Sequence, residues 1–127
     1  MIKVYQTKFN DEGNCFAACV ASVLKCNIED LPHLGVDEDW EEYEQRLNDY
    51  LRENYSTVLT HVSYDDWRDF INLYLRDSYC IVSGQSNRGY EHAVIYKNEL
   101  LVHDPHPSNS GIEEIKSAYV FFRLHIN

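Results

Sequence analysis

Cys15, His92 and Asp104 are the side chains of this sequence whose types and settings together allow nucleophilic chemistry. A thiol attacks as its thiolate, and a free cysteine is mostly protonated at neutral pH, so a reactive one needs help. Cys15 follows Gly13-Asn14 and begins an apolar stretch. The pattern predicts the first turn of a helix there, where unpaired backbone N–H groups and the helix dipole favour negative charge. Gly13 puts no side chain in the way of an approaching substrate. His92 opens the run Ala93-Val94-Ile95-Tyr96. A strand would hold its backbone while the imidazole projects from the strand's end as a proton acceptor. Asp104 ends the next apolar run, Leu100-Leu101-Val102-His103. In a hairpin it lies beside His92, accepts a hydrogen bond from one ring nitrogen and leaves the other for the thiol. An oxyanion at the attacked carbonyl would find donors in the Cys15 N–H and the side-chain amide of Gln6. Asn14 is a weaker rival, because helix capping already accounts for it.

The other cysteines, Cys19, Cys26 and Cys80, read as core fillers, with a resolving-thiol role for Cys19 as a minor alternative. There is no Cys-x-x-Cys pair, which speaks against a zinc ribbon, and no secretory signal, which speaks against a disulfide framework. His92, His103, Asp104 and His106 form a second possible grouping, as metal ligands. His103 and Asp104 are adjacent, however, and on a regular strand would face opposite sides. His103 reads as a solvent-side or sheet-packing residue and His106 as a cleft-lining one. No cofactor and no metal are therefore expected.

The elements that must position these groups follow from capping and periodicity. Asn14 is the expected N-cap of a helix from Cys15 to about Lys25, apolar nearly all the way round and therefore buried. A turn region spans 28–35. A second helix is expected over 37–53, with Trp40, Tyr43, Leu47, Tyr50 and Leu51 on one face. A short strand spans 58–62. Ser63 and Asp66 form the capping box of a third helix that buries Trp67, Phe70, Ile71 and Tyr74. Strands follow at 79–84, then as a hairpin of 92–96 and 100–103 across Lys97-Asn98-Glu99, and finally at 119–126, which closes the sheet. Residues 86–89 and 104–111 are loops, the stretch 86–90 being a candidate cleft rim. Helices first and an antiparallel sheet afterwards define an α+β fold.

With 127 residues, 44% of them hydrophobic, the chain has the length and apolar content of one domain with one core, covering 1–127. The longest apolar stretch, 16–24, is far short of the ~20 residues a membrane span needs. The N-terminus carries no hydrophobic run before a cleavage site, so a cytoplasmic protein is expected. The net charge of −10, from 21 acidic and 11 basic side chains, excludes a nucleic-acid binder, which needs clustered Lys and Arg. The densest acidic stretch, 37–44, reads as a solvated helix start, with a docking surface for a basic partner as the alternative.

Gln6, then Gly13-Asn14-Cys15-Phe16-Ala17-Ala18 on a buried helix, then His92-Ala93-Val94-Ile95-Tyr96 and a strand ending His103-Asp104-Pro105 together resemble the papain-like cysteine peptidase superfamily. The pattern is most similar to its compact bacterial branch, which includes the bacteriocin-processing (double-glycine leader) peptidases. The likeness covers the N-terminal quarter and roughly 79–107. Gln6 precedes Cys15 by nine residues, a wider gap than is usual there. The resemblance implies a papain-like fold, with the Cys-bearing helix packed on the sheet. It also implies Cys15 as nucleophile, His92 as base, Asp104 as orienter, Gln6 as oxyanion donor, and a protein or peptide substrate. Acyl transfer to amines and removal of ubiquitin-like modifiers use the same set through the same thioester, so they remain alternatives. So does a non-enzymatic acidic interaction module that keeps the fold. The oligomeric state is not expressed in the sequence.

Overall fold

The computed structural model describes residues 1–9 and 13–124. Helix α1 runs Cys15–Leu24, a 3₁₀ turn covers Ile28–Asp30, and α2 runs Trp40–Tyr55. Strand β1 (Thr57–Ser63) leads into α3 (Tyr64–Tyr74), and then β2 (Tyr79–Gln85), β3 (Glu91–Lys97), β4 (Leu100–His103) and β5 (Glu114–Arg123) follow. The strands form one sheet in the order β1-β5-β2-β3-β4, every pair antiparallel. This is the α+β arrangement expected, with helices packed on an antiparallel sheet.

Helices cover both faces of that sheet. The residues of α1 and α2, among them Val20, Leu47 and Leu51, pack with Leu59, Ile81, Ala93, Ile95 and Tyr119 on one face. Trp67 and Ile71 of α3 pack with Cys80, Val82, Val94, Ala118 and Val120 on the other. Odd and even positions of β2, β3 and β5 thus face different cores, as the two-residue period of a strand requires. Coverage on both faces explains why these strands read as continuous apolar runs rather than alternating ones. Each large side chain so buried contributes ~1.5–3 kcal/mol.

Several boundaries differ from expectation for identifiable reasons. Helix α2 begins at Trp40, not 37, because Asp39 is its N-cap and accepts from the Glu42 N–H at 2.9 Å. Glu38 turns outside the helix to the Arg46 guanidinium at 2.7 Å. Tyr43, Leu47, Tyr50 and Leu51 do lie on a buried or partly buried face, whereas Trp40 at its start is exposed. Asn14 stands at the N-cap position of α1 as expected, but its side chain makes no capping hydrogen bond. Its side-chain oxygen accepts from the Thr7 and Lys8 N–H groups, both at 2.9 Å, and stitches the N-terminal segment to the helix start. At α3 the Ser63 hydroxyl donates to the Asp66 carboxylate at 2.8 Å instead of closing a capping box on the backbone. The side chain of Tyr74, expected to be buried, lies outside the described residues, as do His125 and Ile126 of the last expected strand. That strand starts five residues earlier than expected and is interior, pairing β1 and β2. Ala118, Tyr119 and Val120 are buried, so a central position suits it better than an edge.

Candidate active site

Strands β3 and β4 meet through a two-residue turn in which Asn98 and Glu99 both have positive φ, 51° and 68°, the conformation that matches strand twist in a tight hairpin. Asn98 and Asp77 exchange two hydrogen bonds at 2.8 and 2.7 Å and anchor that turn. The hairpin sets Asp104, the residue after β4, beside His92 near the start of β3. His92 Nε2 lies 2.6 Å from Asp104 Oδ1, and both side chains are buried. Two backbone groups hold the carboxylate from behind. The His106 N–H donates to Oδ1 at 2.9 Å and the Gly111 N–H to Oδ2 at 2.8 Å. Gly111 sits at φ +72°, a conformation open to glycine at no steric cost.

Burial disfavours the charge on Asp104, but the hydrogen bonds from His92, His106 and Gly111 outweigh it and keep the carboxyl below its ordinary range. An ionised carboxylate only accepts, so Nε2 carries the ring proton and Nδ1 is the nitrogen left for a second partner. Burial likewise works against a charged His92. The hydrogen bond to Asp104, attraction to its charge and the influence of the neighbouring Cys15 sulfur win and raise its pKa to about 9. Cys15 is partly exposed at the first position of α1, and α1 packs on β3 and β2.

Cys15, His92, Gln6 and His106 line one small cavity of about 50 Å³, together with Gly13, Arg88, Tyr90 and Glu91. The candidate residues Cys15, His92, Asp104 and Gln6, scattered over the sequence, are thus brought together. Gln6 is held by its backbone N–H on the Pro105 carbonyl at 3.1 Å and by its side-chain nitrogen on the Lys8 carbonyl at 2.9 Å. Its Oε1 is buried and has no partner among the described residues. The amide nitrogen has a second hydrogen to offer. The wide spacing between Gln6 and Cys15 is bridged by the turn that Asn14 stitches to Thr7 and Lys8. The Asn14 side chain is turned to Thr7 and Lys8 and does not line the cavity of Cys15 and His92, which sets it aside as a rival oxyanion donor.

Cys19, one turn along α1, is completely buried. Burial, with the charges of Cys15 and Asp104, pushes its thiol well above the ordinary value, which leaves no accessible sulfur for a resolving role. Burial raises Cys80 to about 12. His103 is buried rather than solvent-facing. Its Nε2 donates to the Val4 carbonyl at 2.7 Å and its ring meets Tyr5 edge-on. The metal-ligand grouping is not assembled, since the described residues contain no cluster of three His, Cys, Asp or Glu side chains able to hold an ion.

Sequence reasoning missed what holds the loop after Asp104. Arg88 Nη1 donates to Ser108 Oγ at 3.0 Å and Ser110 Oγ at 2.8 Å, and His106 Nδ1 lies 2.8 Å from Ser108 Oγ. Serines in a loop are common, and nothing local distinguishes these.

Coupled to folding, the two shifts have opposite signs. The His92 contribution is complete below its ordinary pKa of 6.5 and is lost as pH rises through about 9. The Asp104 contribution is present above its ordinary 3.8 and is lost as pH falls. Urea unfolding is expected to show stability falling by ~3 kcal/mol between pH 6.5 and 9, and His92→Gln is expected to flatten that interval. The buried thiols of Cys19 and Cys80 add their loss only above pH 9, where the unfolded thiols ionise. Equal slopes in both proteins would contradict the assignment.

Comparisons with family models, curated protein sequences and solved structures return no match. No helix among the described residues is long and apolar enough to cross a membrane.

Proposed function

We propose that this chain is a papain-like cysteine hydrolase that cleaves an amide, peptide or isopeptide bond through a thioester on Cys15. The observation that carries the reading is the His92 imidazole, bonded at 2.6 Å to a buried carboxylate and lining the same small cavity as Cys15 at the start of α1. Three further features support it. The sulfur is partly exposed while the other two groups are buried. Cys15, at the helix start where backbone N–H groups have no intrahelical partner, and Gln6 line the same cavity. The order of parts, with nucleophile on the first helix, histidine opening a strand and aspartate ending the next, is that of the papain-like pattern.

In the first half-reaction His92 takes the thiol proton and the thiolate attacks the carbonyl carbon. The oxyanion of the tetrahedral intermediate is stabilised by the Cys15 N–H and the Gln6 amide. The C–N bond then breaks, and the proton held by His92 leaves on the amine. In the second half-reaction His92 takes a proton from water, hydroxide attacks the thioester, and the acid and the regenerated thiol depart. Asp104 holds the ring and offsets its positive charge throughout.

Thiol labelling tests this directly. Among the four cysteines, iodoacetamide near neutral pH is expected to modify Cys15 first, with His92→Gln slowing that modification at least tenfold. Mass spectrometry of peptides locates the label. Labelling that is uniform over the exposed thiols, or a Cys15 rate indifferent to His92, would reduce the chain to a binding module.

A further inference from the structure

Arg88 lines the cavity that holds Cys15 and His92, and it stands on a firmly built loop between β2 and β3. The Ser86 N–H and hydroxyl both donate to the Tyr90 carbonyl, at 3.0 and 2.9 Å. The Arg88 N–H donates to Ser86 Oγ at 3.3 Å and the Gly89 N–H to the Ser86 carbonyl at 3.2 Å. Gly89 closes the turn at φ +85°, a conformation glycine adopts at no steric cost.

The guanidinium is aimed but not neutralised. Its Nη1 uses both hydrogens on the Ser108 and Ser110 hydroxyls, which carry no charge. Nε and Nη2 meet no acceptor among the described residues, and together they form the edge of the fork that can receive both oxygens of a carboxylate. Arg46, Arg52 and Arg68 each have a carboxylate within ion-pair distance; Arg88 has none among the described residues, in a chain of net charge −10. The other charges around the cavity are matched, His92 by Asp104 at 2.6 Å and Glu91 by Lys116 at 3.5 Å. His106 is held below its ordinary pKa, first by burial and then by the charges of Arg88 and His92, and so is neutral at pH 7. The charge left over is that of Arg88.

Position says which part of a substrate would meet it. A leaving amine must come within reach of His92 to receive its proton. Arg88 and Tyr90 precede His92 on the loop into β3, and His106 follows β4, whereas Cys15 belongs to α1 and Gly13 leads into it. The part of the substrate beyond the scissile bond therefore passes over His92 toward Arg88. At about 50 Å³ the cavity has room for a small group such as a carboxylate.

We propose that Arg88, held by Ser108 and Ser110, receives a substrate carboxylate on the leaving-amine side of the bond cleaved and thereby selects acidic leaving groups. That carboxylate is either the chain terminus or an aspartate or glutamate side chain. The inference rests on the hydrolase reading.

Aminolysis of an acetyl-enzyme tests it on the whole chain. The Cys15 thiolate attacks 4-nitrophenyl acetate and nitrophenolate leaves. An added amine then attacks the thioester, the C–N bond forms, the C–S bond breaks, and the proton lost by nitrogen passes to His92. This step reverses cleavage, so the amine occupies the leaving-amine site. Alanine is compared with alaninamide, which probes a terminal carboxylate, and aspartate α-amide with asparagine α-amide, which probes a side-chain one. Rates of N-acetyl product are taken per unprotonated amine, with Cys15→Ala as background.

In one of the two pairs the carboxylate is expected to exceed its carboxamide by about tenfold or more, and the pair that does so identifies the source. Arg88→Gln is expected to bring that ratio close to one. Ser110→Asp, on an exposed stretch of loop, sets a carboxylate of its own on the guanidinium and is expected to do the same, which decides the matter should Arg88→Gln not fold. Both pairs level in the unaltered chain, or a preference that survives these substitutions, would overturn the role of Arg88 while leaving the hydrolase reading intact. Failure of Cys15 to be acetylated in a His92-dependent way would remove both.

Discussion

Asp104→Ala is expected to destabilise the chain by ~3–5 kcal/mol, the usual result of removing one member of a buried, hydrogen-bonded charge pair. Three donors lose their acceptor at once: His92 Nε2, the His106 N–H and the Gly111 N–H. The two backbone groups cannot turn away, and water does not reach a carboxylate that is fully buried, so each pays for lost solvation. Asp104→Asn separates charge from shape. Its oxygen can still accept from the ring, but its amide then confronts the Gly111 N–H, and the negative charge is gone. The His92 titration, followed by NMR of the imidazole, is expected to fall from about 9 toward the ordinary ~6.5, retaining only what the Cys15 sulfur contributes. On the proposed chemistry, cleavage of an accepted amide drops by ~10²–10⁴ in the same variant, the range of general acid–base assistance. A His92 midpoint unmoved by Asp104→Asn would mean that the 2.6 Å contact does not govern the ring's charge.

The two pH profiles that follow are also distinct. Hydrolysis needs an imidazolium to protonate the leaving amine, so its rate declines above pH 9 as His92 loses its proton. Alkylation needs only the thiolate and has no such alkaline limb. The divergence separates a ring that serves as acid from one that merely neighbours a sulfur.

The parts of this arrangement legible in the sequence were those fixed by local physics. A run of apolar residues with no polar face had to be a buried helix, and its first residue had to sit where backbone N–H groups are free. A histidine and an aspartate at opposite ends of a tight hairpin had to be neighbours across it. The Asn98–Glu99 turn closes that hairpin, although Asp77 anchors it and the pairing of β3 with β4 shifts between Ile95 and Tyr96. Long-range choices were not legible. Asn14 carries the same cap signature whether it bonds its own helix or, as here, the backbone of Thr7 and Lys8. The insertion of β5 between β1 and β2 depends on which apolar edge is left uncovered, and no residue of β5 declares it. A second cavity, lined by Phe16 and Trp40, escaped notice because aromatic residues at helical spacing look the same whether they fill a core or line an opening.

The β5 insertion also concentrates strain tolerance at one residue, and Gly84→Ala is expected to cost ~3 kcal/mol or more, as overpacking against rigid neighbours does. A Cβ at position 84 would overlap the carbonyl oxygen of Glu114 outright and lie 2.9 Å from the carbonyl carbon and from Ile115 Cα. All three are backbone atoms, so no side-chain rotation relieves the clash. Either β5 moves away from β2 or the register shift between Ser83 and Gly84 must be rebuilt. Both routes disturb the cavity that Cys15 and His92 line. Gly84 is the cross-strand partner of His92, and the Glu113 N–H donates to the Gln85 carbonyl at 2.9 Å, two residues beyond the Gly111 N–H that holds Asp104. Displacing 113–115 therefore pulls on the carboxylate from its far side. The expected outcome is a lower urea midpoint together with a lower His92 titration midpoint in whatever fraction folds. A variant as stable as the parent would show that β5 does not run so close to β2, and with it the backing of Asp104 by Gly111 would have to be redrawn.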